Sequence, residues 1–288
     1  MKKLIVLGVL MGLISALAFA DDKDGIFSFQ VGQFEVHLLV ESEREGNASI
    51  LVGVDEAILR RYVPPQGFKH TANAILIKAP RQNILIDTGT GAGGVIVDKI
   101  KKLGVEPDKV NAVLLTHLHG DHFGSLQKDG KATFPKAKIY LSAKELEYFT
   151  KTNVNQNAVN ALAPYKSNVV TFEPGILNAE RRQQLLPGIF PIAAYGHTPG
   201  HTIFLLESGR AKMLVIGDLL HVAVVQFHLP SVSASYDIDG AAAAATRAQV
   251  LTYAANNRLP IVGMHIVYPG MGFVEAYGQE GFNFIPME

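Results

Sequence analysis

Short apolar runs alternate with helical patterns along most of the chain. The runs are rich in β-branched side chains and are bounded by Gly, Pro, Asn or Asp, which is typical of strands. They are Phe34–Val40, Ala74–Ala79, Asn83–Ile86, Ala112–Thr116, Ala137–Leu141, Val169–Phe172, Ile189–Ala194, Thr202–Leu206, Met213–Ile216 and Pro260–Gly263. Strands that alternate with helices predict an α/β fold.

Helices are predicted between these strands. They are Gly94–Leu103, Ala143–Thr150, Gln156–Tyr165 and Gly240–Asn256. The last helix is rich in alanine, and Asp239 can cap its first turn. Residues Gly46–His70 are irregular and contain Pro64-Pro65, so we expect a surface loop with a short helix. No shift in composition marks a boundary, which indicates a single domain.

The first twenty residues have the pattern of a secretory signal peptide. Lys2 and Lys3 precede an apolar or small stretch that runs to Ala20 and ends in Ala18-Phe19-Ala20. We predict cleavage after Ala20, export to the periplasm or out of the cell, and a mature domain over 21–288. An uncleaved anchor is the alternative, but the apolar stretch would span only about 25 Å of a core of about 30 Å. We therefore expect no stable membrane anchor in the mature protein.

Composition narrows the possible chemistry. The chain has 288 residues, 48% of them hydrophobic, which is enough for a large core. Its 26 basic and 26 acidic side chains balance, which argues against a general nucleic-acid binder. Cysteine is absent, so disulfides, thiolate nucleophiles and Cys-ligated zinc are excluded. Ten histidines and the carboxylates remain for metal chemistry.

The densest group of potential ligands follows the apolar strand Ala112–Thr116. His117, His119, Asp121 and His122 occur there within six residues, where α/β folds commonly place their sites. His117 and His119 can turn to one ion, and Gly120 permits a reversal that brings Asp121 and His122 to a second. A polar loop with chance histidines is disfavoured, because burying these groups without partners is costly.

Three later segments place further ligand types directly after predicted strands. Gly196-His197-Thr-Pro-Gly200-His201 follows one strand, Asp218 ends another, and His265 follows a third. Their recurrence at strand ends predicts that they share one rim of the fold with the first group.

With these motifs, the sequence resembles the metallo-β-lactamase superfamily, whose HxHxDH motif is matched at His117–His122. The resemblance runs from Asn83 to His265 and implies a four-layer αββα sandwich. It implies that His117, His119 and His197 hold one metal, that Asp121, His122 and His265 hold another, and that Asp218 bridges them. Two divalent ions are expected, Zn²⁺ first, with manganese, iron or cobalt also compatible.

The remaining polar residues near these motifs receive supporting roles. Asp87 is expected to hydrogen-bond near the ligands rather than bind metal, and His201 to orient a ligand loop. His221 either supports a ligand or faces substrate. The other histidines, His37, His70 and His228, are expected to be packing or surface residues, although His70 lies in a possible pocket loop.

Two ions at one site predict hydrolysis, because they lower the pKa of a bridging water towards neutrality. Asp218 and Asp121 are the expected catalytic carboxylates, with Asp121 passing a proton to the leaving group. Among family branches, the chain most resembles methyl parathion hydrolase-like enzymes and lactonases. The resemblance lies in Gly217–Val222, Tyr236–Asp239 and Gly263–Gly270.

That branch implies lactone, aryl ester or phosphotriester substrates, with acyl-homoserine lactone as one possibility. We expect a neutral or apolar small molecule in a pocket lined by Phe68, Phe123, Phe227 and Tyr268, although each ring could instead pack in the core. The absence of tryptophan disfavours organophosphates as the main substrate. A glyoxalase II-like thioesterase, a β-lactamase and a non-catalytic zinc-binding protein are the alternatives. The resemblance also allows a homodimer, and Gly46–His70 is a candidate contact or lid.

Overall fold

The computed structural model describes residues 19–21, 24–279 and 281–287. The predicted signal peptide lies outside the described residues, apart from Phe19 and Ala20. The strands are β1 (Phe19–Asp21), β2 (Ile26–Val31), β3 (Phe34–Glu45), β4 (Leu51–Val52), β5 (Lys69–Ala79), β6 (Gln82–Ile86), β7 (Val110–Leu114), β8 (Gln127–Lys128), β9 (Lys131–Ala132), β10 (Lys138–Ser142), β11 (Val169–Phe172), β12 (Ile189–Ala193), β13 (Thr202–Ser208), β14 (Ala211–Val215), β15 (Ser233–Ala234), β16 (Ile261–Val262), β17 (Met271–Tyr277) and β18 (Gly281–Pro286).

The α-helices lie between these strands along the chain. They are α1 (Glu56–Tyr62), α2 (Val95–Lys102), α3 (Gly120–Phe123), α4 (Ala143–Glu147), α5 (Gln156–Leu162), α6 (Ala223–Gln226) and α7 (Gly240–Asn256). Among the residues described, no helix combines the length and the apolar character that crossing a membrane requires.

Two large sheets form the centre of the fold. The first has eight strands in the order β1-β2-β3-β5-β6-β7-β10-β11, and the second has six in the order β12-β13-β14-β16-β17-β18. Strands β6, β7 and β10 are parallel, as are β14 and β16. Parallel neighbours end at the same edge of a sheet, so the loops after them gather on one rim.

The apolar faces explain the four layers. Ile77 and Leu114 of the first sheet pack against Phe204 and Val262 of the second. On the outer face of the first sheet, Ile96 and Ile100 of α2 cover a second apolar cluster. Val250 and Leu251 of α7 cover the outer face of the second sheet. Each sheet therefore buries both faces, which gives the αββα sandwich that the family resemblance implied.

Several predicted elements are confirmed. Helix α7 has the predicted bounds, and the Asp239 side chain caps it by accepting a hydrogen bond from the Ala242 amide at 2.9 Å. Strand β11 also matches its predicted range. The irregular segment before β5 contains a short helix, α1, as expected. The helix predicted over Ala143–Thr150 is α-helical only to Glu147. A π-helical turn over Tyr148–Thr152 follows it directly.

Other elements differ from prediction because tertiary pairing decides them. Strand β3 continues five residues beyond Val40, to Glu45, through a polar run that was not predicted as strand. It persists because it pairs with the first half of β5, where Arg44 lies opposite His70. Strands β2, β17 and β18 were also missed. Strand β18 begins with Gly and ends with Pro, which are unfavourable strand signals, and it forms by pairing along β17.

A buried arginine attaches α7 to the loops near the rim. Arg247 is 1% exposed. Its Nε donates to the carbonyl of Leu219 at 2.6 Å, and its Nη1 donates to the carbonyls of Pro230 and Val232 at 2.8 and 2.7 Å. Its Nη2 also lies 3.5 Å from the Asp237 carboxylate. One guanidinium thus satisfies three buried carbonyls and one carboxylate.

Replacing this guanidinium should destabilise the whole fold. We expect Arg247→Met to lower the free energy of unfolding by about 3–5 kcal/mol. The substitution removes the side-chain donor of the buried Leu219 and Pro230 carbonyls and the positive charge beside the buried Asp237 carboxylate. Urea unfolding followed by circular dichroism measures the change. Arg60→Met is the matched control, since Arg60 is exposed and forms an ion pair with Glu56 of the same helix, α1. A change within about 0.5 kcal/mol for both variants would contradict the role of Arg247.

Candidate metal centre

Asp87 organises the first ligand segment. It follows β6, is fully buried, and has a φ of 56°, a left-handed conformation that Asp tolerates better than most residues. Its carboxylate accepts hydrogen bonds from the amide and hydroxyl of Thr116, both at 2.8 Å, and lies 2.8 Å from His122 Nδ1. Asp87 therefore fixes the segment after β7, as its expected supporting role requires.

The structure brings three of the predicted histidines together. His197 Nε2 lies 3.0 Å from His119 Nδ1 and 3.2 Å from His117 Nε2. His117 and His119 follow β7 of the first sheet, whereas His197 follows β12 of the second. Their nitrogens all lie within 4.8 Å of one another, which suits a shared cation.

A second group lies beside the first and contains the other four predicted ligands, Asp121, His122, Asp218 and His265. Asp218 Oδ1 lies 3.2 Å from His122 Nε2, and Asp218 Oδ2 lies 3.0 Å from His265 Nε2. Asp218 Oδ2 is also 3.5 Å from His197 Nε2, in the first group. The Asp218 carboxylate thus lies between the two groups.

Two buried atoms at this point have no hydrogen-bond partner among the described residues. They are His122 Nε2 and Asp218 Oδ1, which face each other without forming an aligned hydrogen bond. Buried polar atoms are rarely left unsatisfied, so such a pair calls for an unseen partner. A nitrogen and a carboxylate oxygen are both ligands of divalent transition metals. The residues therefore fit a metal ion.

The far nitrogens of the ligand histidines have partners of their own. His265 Nδ1 donates to the Thr71 carbonyl at 2.7 Å, and His197 Nδ1 lies 2.9 Å from the Asp237 carboxylate. Such partners fix the orientation of a ligand imidazole. Asp237 was not predicted as a site residue. Its only sequence signal was its place in the Tyr236–Asp239 motif.

His201 has both ring nitrogens occupied. Nδ1 donates to the Ala194 carbonyl at 2.9 Å, and Nε2 accepts from the Asp218 amide at 3.1 Å. His201 thus holds the Asp218 loop and offers no nitrogen to a metal. Gly217 permits this approach, because its φ is 53° and a Cβ there would lie 2.6 Å from His201 Nε2.

His221 lies at the edge of the cluster. Its Nε2 is 3.3 Å from Asp218 Oδ2, and its Nδ1 is buried without a hydrogen-bond partner in the described chain. It groups with His197 and Asp218 as a third set of nearby ligand atoms, and it also lines the adjoining cleft. Both roles considered for it, beside a ligand and facing substrate, match this position.

Sequence reasoning missed a buried carboxylate that joins the two histidine loops. Glu145, in the first turn of α4, is 1% exposed. It accepts hydrogen bonds from the amides of Leu118 and Gly200 at 2.8 and 2.9 Å and from the Thr198 hydroxyl at 2.7 Å. Leu118 lies between His117 and His119, and Thr198 follows His197, so Glu145 sets the spacing of the first ligand group.

Burial and neighbouring charges shift the pKa values of the cluster's histidines in opposite directions. Burial lowers the pKa of His117 well below its usual value and that of His197 to about 3. Burial also opposes a charge on His122, but the nearby carboxylates, Asp218 foremost, raise its pKa well above the usual value. Burial likewise opposes ionisation of Asp218, yet the charge on His122 holds its pKa well below normal. A divalent cation would replace the proton on His122.

A cleft of about 470 Å³ opens onto the cluster. A neighbouring cavity of about 320 Å³ shares Arg44, His70, His221 and Tyr236 with it. The cleft is lined by Ser42, Arg44, His70, Ala72, Thr90, His119, Gly120, Asp121, Asp218, His221, Tyr236 and His265. His70, expected to be a packing or surface residue, therefore faces the site. The lining is more polar than the apolar pocket that the sequence predicted.

The four aromatic residues proposed for that pocket have different positions. Phe68 lines the neighbouring cavity. Phe123 is buried in the apolar cluster that α2 covers, and Phe227 stacks on Phe284 in the cluster that α7 covers. Tyr268 packs edge-on against Phe27. Phe123, Phe227 and Tyr268 therefore pack in or against the apolar core and do not line the cleft. They are close to ligands in sequence, but their side chains point into the apolar clusters.

The chain is similar to known metal-dependent hydrolases. A family model described as the metallo-beta-lactamase superfamily matches residues 68–265. A probable metallo-hydrolase of Bacillus subtilis is 30% identical over 165 residues, which cover 51% of this chain and 60% of that protein. An N-acyl homoserine lactonase of a Bacillus species is 26% identical over 121 residues, or 42% of each chain. The match thus spans 60% and 42% of the length of these two curated relatives.

A solved structure agrees over more of the chain. The crystal structure of the hydrolase AbOPH, described as belonging to the beta lactamase superfamily, is 27% identical. It covers 92% of this chain and 98% of its own, with a TM-score of 0.81. The similarity therefore extends over both sheets and the rim between them.

The geometry around Glu145 predicts separable effects of two substitutions. Glu145→Ala leaves two amides and a hydroxyl without their acceptor, so we expect a loss of about 2–4 kcal/mol in unfolding free energy and weaker zinc binding. Glu145→Gln keeps the volume and one acceptor oxygen and should recover part of both. Urea unfolding and zinc titration by calorimetry measure the effects. Glu147→Ala, in the same helix, is the control, and equal behaviour of the Glu145→Ala and Glu147→Ala proteins would contradict this role.

Proposed function

The chain belongs to the metallo-β-lactamase superfamily, and we propose that it is a metal-dependent hydrolase that cleaves lactones or open-chain esters. The observation that carries this proposal is the convergence of the other six predicted ligands, from both sheets, around the seventh, the buried carboxylate of Asp218. The match to a hydrolase and to an N-acyl homoserine lactonase supports the reaction class.

We assign the metal-binding roles as the resemblance implied. His117, His119 and His197 would hold one ion, Asp121, His122 and His265 would hold the other, and Asp218 would contact both. Zinc is the proposed metal, since imidazole and carboxylate ligands suit it. Divalent ions in such a site supply a nucleophile at neutral pH and polarise the scissile carbonyl.

The protein's own residues would position the reactants and move the proton. Asp218 is buried and ionised, so it concentrates negative charge where the cations would bind. Asp121 has a side chain that is 35% exposed and lines the cleft, so it can carry a proton to the leaving-group oxygen. The Nε2 atoms of His122 and His265 each lie 3.6 Å from a carboxylate oxygen of Asp121 and orient it.

A purely zinc-binding protein is the alternative from another functional class. The cleft favours an enzyme over a zinc-binding protein, because Asp121, Asp218 and His119 line it and a substrate could contact them. A site that only stored or used zinc structurally would be closed by protein ligands on all sides. No feature of the described residues favours a thioesterase or a β-lactamase over an esterase.

Export is proposed on sequence grounds alone. Residues 1–20 combine basic, apolar and A-x-A features, which support a cleavable signal peptide and a periplasmic or secreted protein. A homodimer also stays a prediction, with Gly46–His70 as a candidate contact or lid.

Substituting the shared carboxylate should affect both metal groups. We expect Asp218→Asn to lower bound metal from two ions per chain towards one or fewer and to reduce ester turnover about 100-fold or more, because a neutral amide no longer offsets the cations. Mass spectrometry of the metal content and an aryl ester assay measure these effects. Asp129→Asn, on an exposed turn, is the control. Full metal content with full turnover would contradict the role of Asp218.

A substrate panel on the zinc-loaded protein tests the reaction class. We expect the highest kcat/KM for γ- or δ-lactones, including N-acyl homoserine lactone, or for aryl esters. A phosphotriester, a β-lactam and S-lactoylglutathione complete the panel. Preference for S-lactoylglutathione would move the protein to the thioesterase branch. A protein that binds two ions yet hydrolyses no member of the panel would support the zinc-binding alternative.

A further inference from the structure

One strongly basic residue lines the approach to the metal centre. Arg44 borders both the cleft and the neighbouring cavity. Among the described residues that line either space, it is the only lysine or arginine. The same cleft is also lined by Asp121, Asp218 and His265.

The position of Arg44 follows from the extension of β3. Arg44 lies directly opposite His70 on the neighbouring strand β5, and side chains of such cross-strand pairs share one face of a sheet. The His70 ring in turn stacks on the His265 ring, with centroids 4.6 Å apart and planes 19° apart. The His70 side chain thus lies between Arg44 and the proposed metal ligand His265.

The Arg44 guanidinium is available for a ligand. Arg44 is exposed, and no carboxylate of the described residues lies within ion-pair distance of its guanidinium. The adjacent Glu45 pairs instead with Lys69. The other carboxylates that line the cleft, Asp121 and Asp218, belong to the proposed metal centre. An arginine that faces a cleft without an internal partner is well suited to a planar anion.

We propose, on the basis of the hydrolase function above, that Arg44 binds a carboxylate group of the substrate, remote from the scissile ester. The preferred substrates would then be anionic esters or lactones rather than the neutral, oily ones that the sequence suggested. The neighbouring cavity can hold the chain between the two ends, because Ile50, Phe68 and Tyr236 line it. Arg44 is therefore a specificity-determining residue.

Matched pairs of aryl esters test this inference. The 4-nitrophenyl esters of hexanoate, heptanoate and octanoate are compared with the mono-4-nitrophenyl esters of adipate, pimelate and suberate, which have the same chain lengths and leaving group. The zinc-loaded wild-type protein should prefer at least one acidic ester to its neutral partner. We expect Arg44→Gln to raise KM for that ester about tenfold or more. Its kcat, and both kinetic constants for the neutral esters, should change less than about twofold.

Two further variants sharpen the comparison. Arg44→Lys keeps the charge but loses the planar fork, so it should restore part of the preference. Arg60→Gln removes an exposed arginine that pairs with Glu56 away from the cleft, and it should change nothing. Because the interaction is exposed, the preference should also weaken as salt concentration rises.

Binding measurements separate this inference from the proposed function. Calorimetry on the zinc-loaded protein compares adipate, pimelate and suberate with the monocarboxylates of equal length. The second carboxylate should tighten binding of at least one diacid in the wild-type protein and not in Arg44→Gln. If no ester is hydrolysed but this difference appears, the hydrolase proposal fails and the Arg44 site stands. If esters are hydrolysed with no Arg44-dependent preference or binding difference, the Arg44 inference is overturned.

Discussion

The burial of Asp218 among histidines is the interaction on which the rest of the site depends. Asp218 is 2% exposed, and His265, His122 and His197 approach its oxygens at 3.0, 3.2 and 3.5 Å. A buried carboxylate is costly unless positive charge and hydrogen bonds compensate for it. Here the compensating groups come from the ends of strands in both sheets. The packing between the sheets therefore determines whether the centre can form.

A layer of buried carboxylates holds the ligand loops without contributing to the metal groups. Asp87 fixes the segment after β7, Glu145 joins that segment to the loop after β12, and Asp237 orients His197. Asp237 also contacts Arg247, so the position of His197 is coupled to α7. Each acid accepts hydrogen bonds that would otherwise be unsatisfied. The geometry of the ligands is thus set by residues that lie one contact further out.

The sequence predicted the centre better than its support. The HxHxDH spacing and the position of Asp218 and His265 after strands are local patterns, so they were visible without a structure. Ser142 and Glu145 have the spacing of a helix capping box, which suggests a local role. In the structure the Ser142 hydroxyl does accept from the Glu145 amide, but the carboxylate crosses to loops distant in sequence. Only the tertiary fold reveals such a contact.

The same limit explains the cleft. The polar run after Val40 lacks the alternation of a half-buried strand, so the sequence predicted neither a strand nor a role at the site for it. Pairing with β5 turns it into strand and places Arg44 and His70 on one face above His265. The aromatic residues close to the ligands in sequence pack in or against the apolar clusters instead. The hydrophobic pattern of a sequence predicts which residues pack in the core. It does not predict the polar extension of β3, which carries the positive charge of Arg44 that a substrate would contact.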